Sequence, residues 1–131
     1  MNGVEMLSNG DVIATLAVKD IEQGKAFYGG KLGLKQSIED AGGVGYRVGA
    51  GQLYVYASPT AGSGEATAAF FRVDDVRTVV SQLTSEGISF EHYEMPGTRI
   101  EGDVHVVDGS DITAAWFKDP DGNIIGVGDG A

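Results

Sequence analysis

The feature that most constrains the fold is a pattern that occurs twice along the chain. In each half, a short apolar run ends in a valine and is followed by an aspartate and an amphipathic stretch. Aligning residues 18–21 (VKDI) with residues 73–76 (VDDV) gives an offset of 55 residues, and Gly33 then falls within one residue of Gly87. The sequence identity between the two halves is weak. The repeat is therefore recognised from the order of apolar, capping and turn residues, which is the same in both halves. This pattern predicts two βαβββ modules.

The first half of the repeat has the pattern of one strand, one helix and three further strands. Residues 11–18 (DVIATLAV) are apolar and include β-branched side chains, which favours a strand. Asp20 follows as an N-cap, and an approximate helical stripe continues to Gly33, a residue typical of the position just after a helix. Three short strands are then predicted, around residues 34–39, 44–48 and 52–57.

The second half repeats this order with a more regular helix. Residues 66–73 (ATAAFFRV) predict a strand, and Asp74 or Asp75 is the expected N-cap. Apolar side chains then recur at i, i+3, i+4 and i+7, the spacing of one helix face: Val76, Val79, Val80 and Leu83. Gly87 ends this helix, and residues 88–95 alternate as a half-buried strand does.

The module boundaries follow from a connector and a closing hairpin. Residues 58–65 (SPTAGSGE) are rich in Gly, Ser and Pro, as linkers are, and residues 114–127 (AAWFKDPDGNIIGV) place a Pro-Asp-Gly turn between two apolar runs. The modules are therefore expected at about 11–57 and about 66–128. Neither half is large enough to bury its own sheet well, so residues 1–131 are expected to act as one domain.

The charge of the chain is acidic and unevenly distributed. The net charge is −10, and between Glu86 and Asp121 nine acidic residues face only two basic ones, Arg99 and Lys118. Binding to nucleic acid requires a basic face that neutralises phosphates, so this class of partner is not expected. The acidic second half is compatible with a cationic small molecule or a basic partner, and ordinary solubility charge is the alternative.

Other classes are disfavoured by what the sequence lacks. There is no apolar run of about 18 residues, so no membrane span is expected, and the first residues (MNGVEMLSNGD) do not have the pattern of a signal peptide. The chain contains no cysteine, which excludes disulfides, a thiolate nucleophile and a thiolate metal site. A cytoplasmic location is the resulting expectation.

Three segments in this order resemble the vicinal oxygen chelate superfamily. These are residues 16–34 (LAVKDIEQGKAFYGGKLGL), residues 71–88 (FRVDDVRTVVSQLTSEGI) and the closing hairpin. The superfamily includes glyoxalase I, ring-cleaving dioxygenases, fosfomycin-modifying enzymes and bleomycin-resistance proteins, and the resemblance covers about residues 11–128. It implies an α+β fold in which two βαβββ modules form a curled mixed sheet around a cleft. Because one scaffold hosts several chemistries, the resemblance is specific for fold rather than for activity.

Enzymes of this superfamily hold a divalent metal with His, Gln or Glu at one position on the first and last strand of each module. The corresponding positions in this chain are assigned to Ile13, Val55, Ala68 and Gly126. None of these residues supplies an imidazole or a carboxylate, and a divalent ion requires several such donors. We therefore expect no metal and no cofactor.

Aromatic side chains are the candidate ligand-binding residues. Alternation in the closing hairpin turns Ala115 and Phe117 toward the helices and Trp116 toward the cleft, and Phe70 has the same parity as Ala68. The sequence does not decide which face three tyrosines take, and the alternative role of all these aromatic residues is packing in the core or in a dimer. His92 is either a structural strand residue or a hydrogen-bonding group or general base in the cleft. The predicted ligand-binding set is Trp116, Phe70, Tyr46, Tyr54, Tyr56 and His92.

The leading hypothesis is a metal-free small-molecule-binding protein of the bleomycin-resistance kind, which sequesters a planar or cationic compound and forms a homodimer. Without the metal, the Lewis acid that family enzymes use is absent. One alternative is a metal-independent lyase or isomerase of the same fold, with His92, Glu94 or a tyrosine as the acid–base group. The other is an accessory or regulatory module with no ligand of its own.

Overall fold

The computed structural model describes residues 6–130, and in this part of the chain two helices and ten strands form. Helix α1 (Ile21–Gly24) continues into wider π-helical turns over Lys25–Lys31, and α2 spans Val76–Ser85. A short 3₁₀ turn, Met6–Asn9, precedes the first strand. The strands are β1 (Ala14–Val18), β2 (Lys35–Glu39), β3 (Gly43–Val48), β4 (Gly51–Ala57), β5 (Thr67–Arg72), β6 (Phe90–Glu91), β7 (Thr98–Glu101), β8 (Val104–Val107), β9 (Thr113–Lys118) and β10 (Ile124–Gly128).

The two halves build sheets of the same topology, which confirms the predicted α+β fold and its internal repeat. The first sheet has the order β1-β4-β3-β2, and β1 runs parallel to β4. The second has the order β5-β10-β9-β8-β7, and β5 runs parallel to β10. In each module the last strand therefore returns beside the first.

The same residue type starts both helices. Oδ1 of Asp20 accepts hydrogen bonds from the backbone N–H groups of Glu22 and Gln23, at 2.8 and 3.2 Å. Oδ1 of Asp75 accepts one from the N–H of Thr78 at 3.1 Å. The choice between Asp74 and Asp75 is thus resolved in favour of Asp75, and both caps satisfy N–H groups that a helix end leaves free.

The second module differs from the prediction after α2. The expected strand over residues 88–95 is reduced to β6, because Pro96 lacks an N–H group and Gly97 takes a positive φ of 78°, so the chain turns away from the sheet. The hairpin of β7 and β8 follows, which the sequence did not predict. Two strands consequently pair with the same edge of β9. β6 pairs with it at Phe117 and Trp116, and β8 pairs with its opposite end.

The core lies between the two sheets and contains both helices. In the π-helical turns that follow α1, the Tyr28 ring packs 6.5 Å from that of Tyr46 on β3, and the Phe27 ring lies 6.3 Å from that of Phe117 on β9. The buried face of α2 joins the same apolar cluster. Because one core serves both modules, the two sheets turn their other faces away from it.

We call these other faces the outer faces of the sheets. The outer face of the first sheet carries Thr15, Ala17, Tyr54 and Tyr56, with Ile13 just before β1 on the same side. The outer face of the second sheet carries Phe70, His105, Trp116, Gly126 and Gly128. Within residues 6–130, no helix has the length and apolar character needed to cross a membrane.

Candidate functional site

The outer face of the second sheet presents aromatic side chains because alternate residues of β9 point away from the core. On β9, Ala115 and Phe117 are 0% and 1% exposed and point into the core, so Trp116 between them points outward. On β5, Phe70 points to the same side and is 51% exposed. Gly126 of β10 lies directly between these two residues in the sheet, paired with Phe70 of β5 on one side and with Trp116 of β9 on the other.

Gly126 allows these two rings to approach each other across the sheet. A Cβ atom at this position would lie 2.7 Å from Cδ2 of Phe70 and 2.9 Å from Nε1 of Trp116, closer than side-chain atoms pack. Gly128, two residues along, lies under the same Phe70 ring. The indole N–H of Trp116 donates a 3.2 Å hydrogen bond to the hydroxyl of Thr67. The glycines of β10 therefore form the floor of an aromatic surface.

Two further rings extend this surface, and the sequence did not predict either as a site residue. The ring centroids of Tyr93 and His105 lie 5.9 and 5.0 Å from that of Trp116, in edge-to-face contacts. His105 is 2% exposed, and its Nε2 lies 3.0 and 3.1 Å from the backbone N and O of Tyr93. The alternation in β8, where Val104 and Val106 are buried in the core, was the available signal for His105.

Two polar atoms in this cluster have no hydrogen-bond partner among the described residues: the hydroxyl of Tyr93 and Nδ1 of His105. Burial, and to a smaller extent the charge of Glu91, raises the pKa of the Tyr93 hydroxyl, so that it stays protonated at neutral pH. Buried polar groups are usually hydrogen-bonded in native proteins. Both atoms are therefore available to a further polar group.

Beside the aromatic surface, the connector between the modules borders a cavity of about 420 Å³. Its walls come from residues 62–65 and from Glu91, Tyr93 and Lys118. Nζ of Lys118 lies 3.9 Å from Oε1 of Glu91, so this lysine charge is largely balanced. Glu65 also lines the cavity, so the net charge of the cavity walls is negative.

The outer face of the first sheet carries two of the predicted tyrosines. The Tyr54 hydroxyl donates a 2.8 Å hydrogen bond to Oδ1 of Asp40, which also accepts from the N–H groups of Gly42 and Gly43. These hydrogen bonds lower the pKa of the Asp40 carboxyl, and the bond from Tyr54 has the largest effect. The bond between Tyr54 and Asp40 also raises the pKa of the Tyr54 hydroxyl. Tyr56 lies two residues further along β4 on the same face.

Two other predicted residues lie apart from these surfaces. Tyr46 is 1% exposed and belongs to the core, where it packs against Tyr28. His92 is directed to Asp103, with 2.7 Å between Nε2 and Oδ1, rather than to Trp116. The predicted set thus separates into Phe70 with Trp116, the pair of tyrosines on β4, and two residues outside both groups.

The positions at which the family resemblance implies metal ligands do not present donors. Ile13, Ala68 and Gly126 carry no oxygen or nitrogen in their side chains. Val55, the fourth assignment, is 1% exposed on the core side of β4, so its assignment to a cleft position was wrong by one residue. Within residues 6–130, no group of three or more His, Asp or Glu side chains could hold a metal ion. The residues present do not fit the family's metal centre.

Comparison with known proteins agrees with this fold. The model of the Glyoxalase/Bleomycin resistance protein/Dioxygenase superfamily matches residues 11–127. No curated protein sequence matches the chain significantly.

Similar solved structures include TnmS3, an antibiotic binding protein from Streptomyces sp. CB03234, with a TM-score of 0.68, 23% identity, and coverage of 94% of this chain and 97% of that one. A bleomycin-binding protein complexed with bleomycin has a TM-score of 0.67 at 22% identity, over 95% and 100% of the two chains. Lactoylglutathione lyase from Agrobacterium tumefaciens has a TM-score of 0.66 at 17% identity, over 92% of each chain. At these identities the likeness establishes the fold alone.

Proposed function

Since the chain belongs to the Glyoxalase/Bleomycin resistance protein/Dioxygenase superfamily, we propose that it binds a planar organic molecule on the outer face of its second sheet and sequesters it without a metal ion. The observation that carries this proposal is the pair of rings, Phe70 and Trp116, that close over Gly126. Similar structures include one antibiotic-binding protein and one bleomycin-binding protein, which supports the choice of ligand class.

The same rings support the metal-free part of the proposal. A carboxylate side chain at position 126 would need the space that Phe70 Cδ2 and Trp116 Nε1 already take, within 2.9 Å of the required Cβ. Ile13 and Ala68 add no donor. A divalent cation needs several hard or borderline ligands, and these positions offer it none. Planar rings instead favour stacking, worth about 0.5–1.5 kcal/mol beyond the burial of area.

The charge near the site favours a cationic or neutral ligand over an anion. Glu65 and Glu91 border the cavity beside Tyr93, and only Lys118 balances them there. A ligand cation over an aromatic face gains about 0.5–2 kcal/mol. We expect the preference for cations to weaken as salt is added, because the Debye length is about 8 Å at physiological ionic strength.

We further propose that the binding site is completed by a second copy of the chain in a homodimer. The outer faces of the two sheets point away from the shared core, and each leaves apolar side chains in solvent, with Phe70 51% and Ile13 46% exposed. Closed two-fold dimers are the commonest soluble oligomers. In such a dimer, Tyr54 and Tyr56 of one copy face Phe70 and Trp116 of the other and enclose the ligand.

A second candidate function is a metal-independent enzyme of the same fold. The observation that favours it is the pair of unpartnered buried polar atoms beside Trp116, the Tyr93 hydroxyl and Nδ1 of His105. A histidine next to a protonated tyrosine is a suitable acid–base pair. His92 is a weaker candidate than in the sequence-based hypothesis, because its Nε2 is directed to Asp103.

The experiment that separates sequestration from catalysis uses proflavine, a planar tricyclic cation. Proflavine is incubated with the protein in EDTA, its affinity is measured by calorimetry, and the bound compound is recovered for mass spectrometry. We expect binding that EDTA leaves unchanged and recovery of unaltered proflavine. Loss of binding in EDTA, restored by one equivalent of a divalent ion, would overturn the metal-free proposal. Conversion of the compound would favour the enzyme.

A further inference from the structure

A separate cavity of about 220 Å³ lies on the core side of the second sheet, at the junction of the two modules. Its lining comes from five parts of the chain: the segment after α1, the end of β3, β5 with the residue that follows it, α2, and the closing hairpin. All nine lining residues are apolar, among them Leu32, Val79, Leu83, Phe117 and Val127.

This cavity is distinct from the outer-face site. Phe117 and Trp116 are neighbours on β9, but alternation sends Phe117 into the cavity and Trp116 to the outer face. The same holds on β10 for Val127 and Gly126. Along these strands the sheet therefore separates the cavity from Trp116, whereas Val48 and Phe71 also line a neighbouring pocket that includes Phe70.

The lining determines what the cavity can hold. It contains no side chain that donates or accepts a hydrogen bond, so a polar or charged occupant would lose its hydration without compensation. An engineered apolar cavity of about 150 Å³ binds benzene, which shows that a space of this order can hold one small ring. The cavity described here, at about 220 Å³, is larger.

Its size also decides between a small molecule and a protein partner. A stable protein interface buries about 800 Å² on each partner. A cavity of 220 Å³ lined by nine residues does not by itself provide such an area. The occupant is consequently a small molecule.

We propose that this cavity is a second binding site, which takes one small, uncharged, apolar molecule independently of the outer-face ligand. Its recognition rests on shape and apolar contact with Leu83, Phe117 and Val127 rather than on hydrogen bonds. The site does not depend on the function proposed for the outer face.

The test uses three probes with one ring system and different charge: naphthalene, 1-naphthoate and 1-naphthylmethylammonium. Binding is followed by NMR of methyl-labelled protein. We expect naphthalene to shift the methyl signals of Leu83 and Val127 saturably and to show intermolecular NOEs to them. The Trp116 indole N–H signal should stay in place, and both charged analogues should bind at least tenfold more weakly.

Val79→Phe fills the cavity from α2 and should weaken naphthalene binding at least tenfold. Gln82→Phe places the same ring on the exposed face of the same helix and should leave binding unchanged. If Val79→Phe fails to fold, the NOEs in the unmodified protein still decide the question. The inference is overturned if naphthalene gives no NOE to the cavity methyls up to its solubility limit, or if it shifts Trp116 instead. Equal binding of a charged analogue, or methyl shifts that follow protein concentration without a probe, would overturn it too.

Discussion

The hydroxyl of Tyr28 donates a 2.6 Å hydrogen bond to Oδ2 of Asp119, and this bond joins the helix of the first module to the closing hairpin of the second. Asp119 is 4% exposed, and its Oδ1 accepts from the backbone N–H groups of Asp121 and Asn123 at 3.0 and 2.8 Å. The Asn123 amide donates in turn to the carbonyl of Ala17 at 2.7 Å. Burial, followed by this hydrogen bond, raises the pKa of Tyr28, so the hydroxyl remains a donor.

Tyr28→Phe removes the only side-chain hydroxyl that reaches this carboxylate among the described residues. We expect a loss of about 1–3 kcal/mol in the free energy of unfolding, because a hydrogen bond to a buried carboxylate is lost and its Oδ2 keeps only the side-chain amide of Asn123, at 2.8 Å. Chemical denaturation measures this change. Tyr54→Phe, which removes a solvent-exposed tyrosine–aspartate bond, is the matched control and should cost clearly less. Equal losses in the two variants would contradict a special role for the inter-module bond.

Gly126→Ala tests the packing of the aromatic surface. The added methyl would lie 2.7 Å from Phe70 and 2.9 Å from Trp116, so at least one ring must move. We expect a destabilisation of about 1–3 kcal/mol, as for other overpacked sites, together with a changed Trp116 emission. Gly30→Ala is the control, since a Cβ atom there meets nothing within 4 Å. Gly30→Ala should leave the free energy of unfolding unchanged or raise it by up to about 1 kcal/mol, because alanine favours helical turns.

The pKa of Asp40 provides a test of the Tyr54 geometry. Its carboxyl is held below the ordinary value of about 3.9 by bonds that favour the charged form. Such a group contributes stability that is present above the unfolded pKa and is lost as pH falls through the folded pKa. NMR titration of the Asp40 carboxyl carbon should give a low pKa, which rises in Tyr54→Phe because the first cause is removed. An unchanged pKa in the variant would show that the hydroxyl does not bond this carboxylate.

The sequence predicts those parts of the fold that depend on neighbours along the chain. The cap at Asp20, a cap at Asp74 or Asp75, the α2 face and the outward direction of Trp116 all follow from spacing of a few residues. The shared edge of β9 does not, because it depends on how far β6 extends before Pro96 and on where β8 joins the sheet.

The site was predicted in part for the same reason. Phe70 and Trp116 come together because both strands pair with β10 at Gly126, and the parity of each residue along its own strand had already indicated its side. Tyr93 and His105 join them through contacts between segments distant in sequence, and alternation in β8 gives the face of His105 but not its aromatic neighbours. Tyr46 lies in the core because β3 and β4 place it opposite Leu53, on the face that packs against Tyr28 in the π-helical turns after α1.

Mixing two defective chains tests whether each site is shared between copies. Trp116→Ala damages the second-sheet half of the site, and Tyr54→Ala with Tyr56→Ala damages the first-sheet half. A heterodimer isolated by two different tags should regain one proflavine site, because one of its two clefts combines only intact faces. Each homodimeric variant should bind weakly. Light scattering that gives a mass near 13.6 kDa, that of one chain, at micromolar concentration would contradict the dimer itself.

The most direct test of the central claim is a titration of the emission of Trp116, the only tryptophan in the chain, with three planar compounds of one ring system. These are proflavine, a cation; acridone, which is neutral; and acridine-9-carboxylate, an anion, each corrected for its own absorption. We predict saturable quenching, with proflavine bound most tightly and its advantage reduced by salt. Trp116→Phe should abolish the emission signal, while calorimetry should still detect binding. Trp116→Ala should weaken the free energy of binding by about 0.5–1.5 kcal/mol. Unchanged emission with proflavine and acridone, together with tight binding of the anion, would contradict the proposed function.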